Sequence, residues 1–68
     1  MSMFVLIEDA NGDMVYVAVG KIKLLELGKM PGYTKIEFDN GSMIGAKGSL
    51  KAIREEIEFA SMEVNKWE

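Results

Sequence analysis

The chain has 68 residues, a length that suits one domain and buries only about 60% of the surface exposed on unfolding. It contains neither Cys nor His, which excludes disulfides and thiolate metal sites and removes the commonest metal ligand and general base. The formal net charge of −3 disfavours a nucleic-acid binder, which needs Lys and Arg to neutralise phosphates, while 49% apolar residues argue against disorder.

Residues 3–8 begin as a continuous apolar run and predict a first strand that ends at Glu8-Asp9. Asn11-Gly12 is a hairpin signal of the type I′ kind, with positive φ at both central residues, and returns the chain into a second strand over 14–19. After Gly20, residues 21–27 alternate as a third strand, with a phase shift at Leu25-Glu26-Leu27 that points to a bulge or to the strand's end. The Pro31-Gly32 turn leads to 33–39, where Thr34, Ile36 and Phe38 are expected to face the core and Lys35, Glu37 and Asp39 to face out. Asn40-Gly41 marks a second hairpin, and 42–47 forms a short fifth strand weakened by Gly45.

Ser49 is placed to cap a helix over 50–66, whose Leu50, Ile53, Ile57, Ala60, Val64 and Trp67 recur every three or four residues on one stripe. Arg54 and Glu58 stand at i,i+4 on that helix. The expected fold is therefore α+β, a single antiparallel sheet of four to five short strands closed by one C-terminal amphipathic helix.

Two patterns point beyond a lone chain. The first two strands are apolar on both faces, and one helix covers only one face of a sheet. Phe59 and Met62 fall away from the helix's main stripe, with Ala52 near Phe59 in angle. Contiguous exposed apolar surface marks an interaction site, so Phe59, Met62, Ala52, Val5, Ile7, Met14 and Tyr16 are the candidate interface of a homo-oligomer or of a complex with another protein.

Candidate chemistry is thinner. Asp9-Ala10-Asn11-Gly12-Asp13 looks like the start of a calcium loop, but its Gly stands at the fourth position instead of the sixth, and the hairpin accounts for every residue. Ile44-Gly45-Ala46-Lys47-Gly48 has the spacing of the KH-domain clamp, yet a strand precedes it where that family has a helix. Lys47, Gly48, Ser49 and Lys51 cluster where the helix begins, a place hospitable to an anion such as a phosphate-bearing small ligand; a capped strand-to-helix turn explains the same residues. The acidic set Glu55, Glu56, Glu58 and Glu63 spreads over the helix surface, and no nucleophile–base pair is apparent. No catalytic residue, metal or cofactor is expected.

Thr34-x-Ile36-x-Phe38-x-Asn40-Gly41, preceded by Asn11-Gly12, Val15-Tyr16-Val17 and Ile22 and followed by Ser49, Ile53 and Ile57, resembles the FlbD/SwrD-type family of small flagellar accessory proteins. The matching pieces cover most of residues 4–58, while the loop from Gly28 to Tyr33 is long for that family and Gly48 replaces an acidic residue before the cap. The resemblance implies a similar fold and a non-enzymatic accessory role. The reading from sequence is thus a small homo-oligomeric interaction module. Its alternatives are an anion- or nucleotide-sequestering protein of phage or mobile-element type, and a DNA-binding regulator. The opening apolar run is too short for a signal peptide and lacks a basic start, and no stretch approaches the ~20 apolar residues that cross a bilayer, so a cytoplasmic location without membrane insertion is expected.

Overall fold

Both Asn-Gly pairs reverse the chain, in the same way and not by a type I′ turn. Asp9 N–H donates to Asp13 O at 2.8 Å and Gly12 N–H to Asp9 O at 3.1 Å; in the second loop Phe38 N–H donates to Ser42 O at 2.8 Å and Gly41 N–H to Phe38 O at 3.0 Å. Gly12 and Gly41 have φ of +88° and +89°, whereas no non-glycine residue among those described takes a positive φ. Type I′ would need the preceding Asn there too, so each loop is a three-residue connection closed by a left-handed glycine. Side chains brace both loops. Asp9 Oδ1 accepts from the N–H groups of Asn11 and Asp13 at 2.9 Å each, and Asn40 Oδ1 accepts from Ser42 N–H at 3.0 Å and from its hydroxyl at 2.7 Å.

The computed structural model describes residues 3–67, with side chains described as far as residue 60. The elements are β1 (Phe4–Glu8), β2 (Met14–Ala18), β3 (Ile22–Leu27), β4 (Tyr33–Phe38), β5 (Met43–Lys47) and α1 (Leu50–Trp67). The α+β class and the strand-rich order followed by one helix agree with the sequence; the single sheet does not. The strands form two antiparallel sheets, β1–β2 and β3–β4–β5. A 3-10 turn, Val19–Lys21, separates β2 from β3, so β3 does not continue the first hairpin. The sheets meet instead at the opposite end of β1, through a single bridge between Asp9 and Ala46 and a hydrogen bond from Ala10 N–H to Gly45 O at 3.0 Å. Lys47 and Glu8 form an ion pair at 3.8 Å across the same seam.

The bulge expected late in β3 falls earlier. Ile22 stands opposite Phe38 and Leu24 opposite Glu37, which leaves Lys23 as the extra residue, its ammonium 3.6 Å from Glu37. After the bulge Leu25 opposes Ile36 and packs against the core.

The core lies between the two sheets and under the helix. Val5, Ile7, Val17, Ile36, Ala46 and Ile53 are buried, ringed by Val15, Ile22, Leu25, Phe38 and Ile57. Thr34 is also fully buried, and its hydroxyl donates to Gly48 O at 3.0 Å, so no polar side-chain atom among the described residues is left buried without a partner. Ser49 caps the helix as its position suggests: its hydroxyl oxygen accepts Ala52 N–H at 3.1 Å, and its carbonyl takes the first helical bond from Ile53 N–H at 2.9 Å. No helix among the described residues is long and apolar enough to cross a membrane.

Candidate interaction surface

The register of the first hairpin decides which side chains are bare. Leu6 stands opposite Tyr16, Glu8 opposite Met14 and Phe4 opposite Ala18, while Val5 opposes Val17 and Ile7 opposes Val15. Directly opposed residues share a face. Val5, Ile7, Val15 and Val17 therefore point into the core, and Phe4, Leu6, Met14 and Tyr16 point out.

This corrects the expected interface. Val5 and Ile7 are buried within the fold, Ile7 at 1% exposure, and are not available to another molecule. Met14 and Tyr16 are exposed, Tyr16 at 74%, but their neighbours on β1 are Phe4 and Leu6. The cause is a one-residue slip. A two-residue turn at Asn11-Gly12 would set Ile7 opposite Tyr16, whereas the three-residue loop sets Leu6 there, and a slip of one residue exchanges the faces of a strand.

The helix adds to this surface on the other side of β1. An open groove of about 590 Å³ runs between β1 and α1, lined among others by Phe4, Leu6, Ala52, Glu55, Glu56 and Phe59. Phe59 is 62% exposed and Ala52 is also exposed, so the structure brings both beside β1, as part of one apolar surface. The side chain of Met62 lies outside the described residues. Phe4, Leu6, Glu55 and Glu56 were not singled out as site residues from sequence; the loop length would have identified the first two, and their distance in sequence from the helix hid the groove.

Of the residues considered for anion binding, which stand close in the chain, Lys47 is engaged at the seam and Gly48 and Ser49 in the strand-to-helix turn. Lys47 pairs with Glu8, Gly48 N–H donates to Gly32 O at 2.8 Å, and the Ser49 hydroxyl takes Ala52 N–H. Lys51 is exposed on the first turn of the helix, without an ion pair among the described residues. A smaller depression of about 260 Å³ lies at the far sheet, lined by Ala10, Met30, Tyr33 and Met43 among others, together with Lys29 and Lys35. The ammonium of Lys35 is 3.2 Å from Glu26.

No protein-family model, curated protein or solved structure matches the chain. The likeness to the FlbD/SwrD-type family rests on the residues quoted above alone.

The two sheet edges differ in a way that bears on assembly. Among the described residues β2 pairs only with β1 and β3 only with β4, so each presents an open edge. Exposed edges invite pairing with another chain unless charges, prolines or bulges guard them. β3 is guarded: it carries the bulge at Lys23, two charged residues, Lys23 and Glu26, and leaves Leu27 exposed only at its end. β2 reads Met-Val-Tyr-Val-Ala, with no charge, no proline and no bulge.

Proposed function

We propose that this chain is a small non-enzymatic assembly module that self-associates through the open edge of β2 and the apolar face beside it. The observation that carries this reading is the contrast between the guarded edge of β3 and the unguarded edge of β2. Antiparallel pairing of β2 with the β2 of a second copy turns two two-stranded sheets, each marginal on its own, into one four-stranded sheet. Such a pairing is isologous and closed, so it stops at a dimer instead of growing into a filament. It also places Met14 and Tyr16 against the same residues of the second copy, which removes apolar surface from water. An accessory role of the kind implied by the FlbD/SwrD-type resemblance suits a module with this surface.

Sedimentation velocity tests the proposal. The wild-type chain is expected to sediment above its monomer mass of 7.6 kDa, and Tyr16→Lys, which puts a charge on the bare edge without touching the core, to sediment as the monomer with an unchanged circular dichroism spectrum. A wild type at monomer mass across the whole accessible concentration range contradicts it.

A further inference from the structure

We infer that the groove between β1 and α1 receives a cationic amphipathic segment of another protein. The inference stands on the charge of the groove and not on the β2 edge, so it does not depend on self-association.

Four of the described carboxylates are held in ion pairs, whereas the two that line this groove are not. Among the described side chains, Glu8 pairs with Lys47, Glu26 with Lys35, Glu37 with Lys23 and Glu58 with Arg54. Glu55 and Glu56 have no such partner; both are exposed, and both line the groove. No Lys or Arg is among the described lining residues. Arg54, next in sequence, is turned to Glu58, with its Nε donating to Oε1 at 2.9 Å.

The groove therefore offers apolar surface from Phe4, Leu6 and Phe59 with two exposed carboxylates beside it. Complementarity calls for a ligand that carries apolar anchors and Lys or Arg on one side, the composition of a basic amphipathic segment. A second copy of this chain fits poorly. A two-fold contact on this groove would set Glu55 and Glu56 of both copies together, with no cation among the described lining residues to offset the repulsion. The same carboxylates repel an anionic lipid surface and a nucleic-acid backbone.

The test uses a synthetic amphipathic peptide of Leu and Lys, its counterpart with Glu in place of Lys, and chemical-shift mapping on the full chain. The Leu–Lys peptide is expected to shift Leu6, Ala52 and Phe59, and the Leu–Glu peptide to leave them in place. The double variant Glu55→Gln/Glu56→Gln should weaken Leu–Lys binding about tenfold and flatten its salt dependence, while Glu26→Gln on the other sheet should not. The same titration on Tyr16→Lys separates this claim from the dimer: binding should persist in a chain that stays monomeric. Equal weakening by Glu26→Gln, shifts scattered over the surface, or binding indifferent to Glu55 and Glu56 would overturn the inference. Shifts in the groove on simple concentration of Tyr16→Lys, with no peptide present, would overturn it in favour of a second copy.

Discussion

Ile7, Ile36 and Ile53 come from β1, β4 and α1 and are all but fully buried where the two sheets and the helix converge. A chain of this length is held by roughly 3–10 kcal/mol in total, so one such side chain carries a large share. Ile36→Ala removes buried carbons and leaves a cavity bounded by both sheets, at a cost of about 2–5 kcal/mol, read as a fall in the urea midpoint. The equivalent truncation of Leu27, which is 75% exposed at the end of β3, is expected to change the midpoint little. At this scale the sequence was readable: alternation placed Thr34 and Ile36 inside, helical spacing did the same for Ile53, and the Ser49 cap follows from its position before the helix. What alternation does not encode is the partner of a buried hydroxyl. The acceptor for Thr34, the carbonyl of Gly48, lies just past the end of β5 and becomes visible only once β4 and β5 are paired.

Among the elements, the hairpins show where sequence reading stopped. Asn-Gly marked both reversals, but the dipeptide alone does not distinguish a two-residue from a three-residue loop. In the first loop the carboxylate of Asp9 accepts two backbone N–H groups and so stabilises the longer connection. That choice moves the register by one and turns Val5 and Ile7 inward and Phe4 and Leu6 outward. Asp9→Ala removes both bonds and should cost about 1 kcal/mol in stability by denaturant titration, whereas Asp13→Ala, which leaves the loop's backbone bonds intact, should cost less. An equal effect of the two changes would mean that the loop is held by its backbone alone. The 3-10 turn at Val19–Lys21 was equally hidden, since Val-Gly-Lys reads as readily as a strand continued past a glycine.

For the whole molecule, the split into two sheets resolves an apparent excess of apolar residues. One sheet under one helix would leave a full apolar face uncovered; two sheets closing on a common core cover the inner faces of each other, and the outer face of β1–β2 and the adjoining helix groove remain bare, with Leu27, Met30 and Met43 exposed elsewhere. On the first hairpin the remaining surface is thus smaller than the sequence suggested and better defined: an unguarded edge on one side and an acidic apolar groove on the other. Under the proposed self-association, pairing at the β2 edge would leave that groove open on each copy, so the two proposed faces are separable. Amide hydrogen exchange at low and high protein concentration tests the edge most directly. Alternate amides of Met14–Ala18 should become more protected as concentration rises, while those on the open edge of Ile22–Leu27 should not change. Exchange along β2 that is the same at every concentration would contradict the account.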